Sequence, residues 1–240
     1  MKKRTKENIK KLPIVRQIYS SLMTKRDQQA KKEKEDRNLA LNEHGFDVMK
    51  VIFDALEPLE VKYFFDFGSL LGIIREGKFL GHDTDVDISC SVYDLSDFVE
   101  ISKKIDFAVS KVGFHKRHDV YLDGELVVNT YYYKGVSIDF FANLYKDGFD
   151  NSFDMYRLAN VEYSTKTEAS VWRCRRVHTE NTKLIEVGNV LVRVPENAEE
   201  VLSYEYGEDW RVPNPDWDEF SSPNVIFEEK LRGDYKYYQK

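Results

Sequence analysis

Cysteine is nearly missing from this sequence: of 240 residues only Cys90 and Cys174 carry a thiol. They stand far apart with no Cys-x-x-Cys spacing, which argues against a disulfide framework and a thiolate zinc site and makes a reducing cytoplasm the expected setting. Long apolar runs are missing too. No stretch reaches the roughly 18–20 residues of a membrane span, and the basic start is followed only by a broken apolar stretch, so neither a spanning helix nor an export signal is expected. Positive charge is in deficit: 36 Lys and Arg against 42 Asp and Glu, net −6, which argues against a general nucleic-acid binder.

That deficit is uneven. Residues 1–37 hold 13 Lys and Arg against 5 Asp and Glu, net +8, and the remainder holds 23 against 37, net −14. The chain is a basic arm on an acidic body. From Pro13 on, Ile14, Ile18 and Leu22 fall at helical spacing and form an apolar stripe flanked by positive charge. Such a segment suits an anionic membrane surface, and equally a solvated basic helix or a docking arm. Residues 25–37, mixed in charge, read as a linker or an exposed helix. At 42% hydrophobic and 14% aromatic, the whole can bury a sizeable core as one domain or one domain with an appendage. The expected division is the arm at 1–37, a folded body at 38–215 and a tail of unassigned role at 216–240.

The body is organised around residues 64–89. An apolar run at 61–67 is too short for a stable helix and reads as a buried strand leading into Gly68-Ser69. Ser69 is then expected to cap a short helix over 70–75. Glycine beside a helix start lets an anion approach unpaired N–H groups, which makes this a candidate phosphate seat. Beyond a short loop, residues 85–89 alternate polar and apolar as a half-buried strand does, so Asp85 and Asp87 share one face. At a separation of about 6–7 Å two carboxylates repel by on the order of 3 kcal/mol at an effective dielectric near 20. A divalent cation reverses that cost, and all-oxygen ligation completed by substrate phosphates suits Mg²⁺ or Mn²⁺. An Asp-x-Asp alone is common on solvated strands; its weight comes from the strand, Gly-Ser and helix before it.

Phe46, Met49, Ile52, Phe53 and Leu56 predict a helix with one face on the core, ended by Pro58. Residues 94–112 predict a second helix stopped at Gly113. Strands follow, with Asp123-Gly124 as a tight hairpin turn and Lys134-Gly135 turning into 136–141. In that last strand Asp139 stands among apolar neighbours, where an unpartnered carboxylate is costly, so it is either satisfied locally or held at a charged site. Residues 143–167 read as a loop-rich insertion. Residues 171–178 alternate apolar and basic, either an edge strand guarded by charge or a strand offering Arg173, Arg175 and His178 to a phosphate. A strand at 190–194 and a helix at 196–206 complete the body.

Gly68-Ser69-Leu70-Leu71-Gly72, then Arg75, then His82-Asp83-Thr84-Asp85-Val86-Asp87-Ile88, resembles the signature of the LicD/fukutin family, which runs Gly-Thr-Leu-Leu-Gly, Arg, then Trp-Asp-Asp-Asp-x-Asp-hydrophobic. His82 stands where Trp is usual, and Thr84 replaces the middle acid. Residues 201–213, with Tyr206-Gly207, Trp210 and Pro213, resemble the family's later Leu-x-x-x-Tyr-Gly-x-x-Trp-x-x-Pro element. The resemblance implies an α+β fold, a nucleotidyltransferase-like mixed sheet flanked by helices, here with the basic helical arm in front. It implies Asp139 as a third acid beside Asp85 and Asp87, all three as catalytic metal ligands, and Gly68, Ser69, Arg75 and Asp83 as substrate and phosphate contacts. Arg75 would either neutralise developing charge or anchor its helix. The implied activity is transfer of a phospho-alcohol from a CDP-activated donor to a sugar hydroxyl of a glycan, lipid-linked in the setting the arm suggests, at the inner face of the plasma membrane. A nucleotidyltransferase releasing pyrophosphate would use the same acids, and a non-enzymatic membrane adaptor would need only the arm.

Overall fold

A computed structural model describes residues 13–156, 170–217, 222–228 and 231–238, with side chains from residue 28. Residues 1–12 lie outside the described part, as do the side chains of Ile14, Ile18 and Leu22, the expected apolar stripe. The first element, α1 (Pro13–Leu56), is one continuous helix of 44 residues that passes residue 37 without a break. After Pro13 it contains no proline, and its Lys, Glu, Gln, Ala and Leu content favours the helical state. Its residues 28–36 are exposed, and from Leu41 onward Val48, Met49, Ile52 and Leu56 are buried against the body. A Glu57–Leu59 turn ends it at Pro58.

The sheet is built outward from β5 (Val136–Lys146). On one side lies β2 (Asp85–Val92), parallel to it, and β2 in turn pairs antiparallel with β1 (Tyr63–Phe65). On the other side β4 (Glu125–Tyr133) pairs with the first part of β5, and β6 (Phe149–Tyr156) with its last residues. Leu144 has Val92 on one edge and Asn151 on the other, so β4 and β6 share a single edge of β5 end to end. Antiparallel pairing continues from β4 to β3 (His115–Leu122) and from β6 to β7 (Ser170–Val177).

The tail caps both ends of this path. β10 (Val225–Glu228) pairs with β7, and β11 (Gly233–Tyr237) pairs with β3. Five residue steps connect them, at most about 18 Å, so the two outer strands are drawn together and the sheet curls. Tyr235 Oη, on β11, accordingly donates to Met155 O on β6 at 3.1 Å. Inside the curl Val120, Leu122, Val127, Val128, Phe141, Met155 and Val171 form a small core. The larger core lies on the other face, between the sheet, α1, α2 (Phe67–Glu76), α3 (Leu95–Ser110), α4 (Ala198–Tyr206) and a separate hairpin of β8 (Thr182–Val187) and β9 (Val190–Pro195).

Several expectations need correction. The strand read at 61–67 is only Tyr63–Phe65, because Asp66 leaves the strand to become the N-cap of α2, its side chain accepting from Phe67 N–H. Gly68 and Ser69 therefore lie inside the first turn, and Ser69 is not the cap. Residues 143–156 are not loop but the end of β5 and the hairpin strand β6; residues 157–169 lie outside the described part. The strand at 171–178 is no edge, since β10 covers it. The helix expected from 196 begins at Ala198, with Asn197 as its N-cap and Pro195 closing β9. Phe46 is 46% exposed, outside the buried stripe.

Candidate active site

The parallel pairing of β2 with β5 sets the acids. Asp87 stands opposite Asp139 in register and Asp85 opposite Ser137, so with the period of two all three carboxylates lie on one face. They open into a cavity of about 1010 Å³ that is also lined by Gly68, Arg75, His82, Asp83 and Asp154. The start of α2 is clamped to the same strand from both directions: Asp66 N–H donates to Asp87 O at 3.0 Å, and Asp87 N–H donates to Ser69 Oγ at 2.9 Å. Ser69 is 1% exposed, so it is brought to the acid strand as a buried acceptor while Gly68 faces the cavity. Gly72 has a steric reason to be glycine: a Cβ there would stand 2.6 Å from Lys78 O and 2.9 Å from Leu80 N. That close approach fixes the loop leading to Asp83, whose Oδ2 accepts from Leu80 N–H at 3.1 Å. From α1, Asn38 Nδ2 donates to Gly81 O at 2.9 Å and Asp83 O at 2.8 Å and holds the loop from outside.

The electrostatics are those of acids without enough positive charge. Burial first, then Asp85, Asp139, Asp83 and Asp66, push the Asp87 carboxyl well above the ordinary range. Asp139 is pushed to about 8 by burial and by Asp85, against a hydrogen bond from Thr130 and the more distant Arg117. Asp85 is raised by burial, opposed by Arg37 and Lys34 of α1 and by a hydrogen bond from Thr84. Thr84 thus supplies a donor where an acid would repel. Asp83 is raised to about 6, chiefly by burial. Thr130 Oγ1 donates to Asp139 Oδ1 and lies 3.1 Å from His118 Nε2.

Arg75 anchors rather than floats: Nη1 donates to Trp210 O at 3.2 Å and Nη2 pairs with Glu76 at 3.1 Å. The carbonyl it holds belongs to the loop after α4, and Tyr206, Asp209, Trp210 and Pro213 line the cavity beside it. Tyr206 packs its ring 4.8 Å from that of Trp217. Burial, then Glu205 and Asp87, raise the Tyr206 hydroxyl pKa well above its usual value, which marks how near this element comes to the acids. Of the chemistry-bearing side chains at the cavity, Asp154 on β6 is absent from the sequence expectations. So is the buried pair of Asp66 and Arg176 behind it.

Among the described residues no three His, Cys, Asp or Glu side chains are gathered closely enough to hold a metal ion by themselves. The donor set nevertheless suits a hard divalent cation completed by substrate oxygens: three carboxylates on one face, all oxygen, each raised in pKa chiefly by burial.

Residues 60–197 match the sequence model of a nucleotidyltransferase domain. The domain is that of LicD/FKTN/FKRP, and the chain belongs to the LicD family. Membership makes it a transferase of the phospho-alcohol kind. The match ends before residues 201–213, whose resemblance to the family's later element rests on the sequence alone. No curated protein matches the chain. Among solved structures, ANT(2″)-Ia in complex with adenylyl-2″-tobramycin is similar at 16% identity and a TM-score of 0.37, over 71% of this chain and 79% of that one. A likeness at that level carries no argument about this protein. No helix among the described residues is long and apolar enough to cross a membrane.

Proposed function

We propose that the protein is a metal-dependent phosphotransferase that moves phosphocholine, ribitol phosphate or glycerol phosphate from a CDP-activated donor to a sugar hydroxyl of a cell-surface glycan, releasing CMP. The observation that carries this reading is the register of Asp87 with Asp139 on neighbouring parallel strands, with Asp85 two residues along on the same face. Asp85, Asp87 and Asp139 would hold Mg²⁺ or Mn²⁺. Such ions are usually bound by a few carboxylates plus substrate phosphates, so an open face of acids is the arrangement expected. When bound, the cation neutralises charge on the donor diphosphate.

The chain's own residues do the rest. Gly68 and Ser69 lie in the first turn of α2, where helices leave N–H groups unpaired, and Gly68 opens to the cavity; this turn would seat a donor phosphate. Asp83 would face the donor at the mouth, and Arg75 keeps α2 and the Trp210 loop together around it. The acceptor hydroxyl oxygen bonds to the phosphorus bearing the alcohol, the bond from that phosphorus to CMP breaks, and CMP leaves with the electron pair. The hydroxyl proton passes to Asp139, which Thr130 holds in place. Residues 1–37 would rest on the anionic inner face of the plasma membrane, where a lipid-linked acceptor is presented.

The test supplies purified protein and Mg²⁺ with CDP-choline, CDP-ribitol or CDP-glycerol and a lipid-linked glycan. CMP release with one donor, lost in Asp85→Asn/Asp87→Asn, is the expected result. Pyrophosphate release from a nucleoside triphosphate in its place would make the protein a nucleotidyltransferase, and no release from any donor would overturn the proposal.

A further inference from the structure

Alternation along β7 sends Arg173 and Arg175 to one face and Arg176 to the other, and Arg176 is 2% exposed. Its Nη1 pairs with the Asp66 carboxylate. Its Nη2 donates to Asn143 Oδ1 on β5 at 3.2 Å and to Ser152 Oγ on β6 at 3.0 Å. Glu205 of α4 lies 3.9 Å from Nη1, and the guanidinium sits 4.3 Å from the centre of the Phe67 ring. Asp66 in turn accepts from Ser89 Oγ on β2 and from Phe67 N–H. One buried cation therefore joins β5, β6, β7 and α4 to the corner where β1 becomes α2.

A buried ion pair is weak grounds for stability, because desolvating both charges offsets most of their attraction. Its effect here is on position. Phe67 has φ of +49°, a left-handed conformation that a bulky residue holds only when its surroundings impose it. What imposes it is Asp66 on its N–H, Arg176 over its ring and Phe141 edge-on with ring centroids 5.2 Å apart. That corner is in contact with the acids, since Asp66 N–H donates to Asp87 O.

We infer that Arg176 is a positioning residue for the transfer reaction: through Asp66 and Phe67 it fixes the Gly68 turn against β2 and so sets that turn relative to Asp87 and Asp139. The catalytic half of this inference rests on the proposed function. Arg176→Met leaves a buried carboxylate unpaired and is expected to unfold the protein, so the informative variants are Asp66→Asn/Arg176→Met, which removes both charges and keeps a capping oxygen, and Arg176→Lys, which keeps the charge without the fork.

In folded variants kcat for CMP release is expected to fall on the order of 10²-fold with KM within about threefold, the pattern of displaced reacting groups. Amide hydrogen exchange over residues 66–70 is expected to quicken in the double variant relative to amides of equal stability elsewhere. A folded variant with wild-type kcat, or failure of both variants to fold, would overturn the inference. If the wild type itself releases no CMP, the proposed reaction fails on its own, and the exchange measurement still decides: unchanged protection at 66–70 rejects the positioning role.

Discussion

The main chain of Asp87 is tied to Ser69: the Asp87 N–H donates to Ser69 Oγ at 2.9 Å, in a spot where Ser69 is 1% exposed. Ser69→Ala leaves that N–H buried without an acceptor. The expected loss is about 1–3 kcal/mol of stability, read as a lower urea midpoint with an unchanged slope.

Asp87→Asn acts in the opposite sense on stability and on activity. Replacing a carboxyl that burial and then Asp85, Asp139, Asp83 and Asp66 force to take up a proton on folding is expected to stabilise the metal-free protein at neutral pH by about 0.5–2 kcal/mol. The same change is expected to cost at least about 10²-fold in CMP release. Thermal melts beside turnover measurements check both signs.

The raised carboxyls make the metal-free protein sensitive to pH. Asp139, at about 8 when folded and about 3.9 when unfolded, binds its proton more tightly in the folded state. Its contribution is therefore fully present below about pH 4 and lost as pH rises toward 8. The melting temperature without metal should fall by several degrees between pH 5 and 8, fall less in Asp139→Asn, and recover with Mg²⁺. A flat profile in the wild type would contradict this.

Gly72→Ala drives a methyl into Lys78 O and Leu80 N. Overpacking of this kind costs about 1–3 kcal/mol. Because the displaced loop carries Asp83, donor affinity should weaken as well, measured by titrating the CDP-alcohol that the wild type turns over.

The acid pair on β2 was legible because alternation over five residues assigns faces without any tertiary knowledge. Asp139 stood out because a carboxylate among Ile138, Phe140 and Phe141 demands a partner, but its place beside Asp85 and Asp87 was implied only by the family resemblance. The same demand is made by Asp66 between Phe65 and Phe67, and its answer, Arg176, lies 110 residues on in a run of three arginines where local pattern does not tell the buried one from its neighbours. Residues 143–156 looked like loop because Asp147-Gly148 and the polar residues of β6 mask a hairpin whose buried Asn143, Asp150 and Ser152 satisfy one another and His178, Thr179 and Arg176. The tail strands are only four and five residues long, and they pair with partners about 50 and about 115 residues away. Runs so short name no partner by their own pattern, whether β-branched as in Val225-Ile226 or polar as in Gly233-Asp234.

The tail that draws the sheet into a curl also supplies Ser222, Asn224 and Val225 to the wall of the cavity. Filling the cavity and keeping β10 on β7 are thus linked equilibria, since a ligand that binds only the closed wall holds the strand down by mass action. Whatever fills the cavity would thereby add to the stability of the sheet margin that borders it.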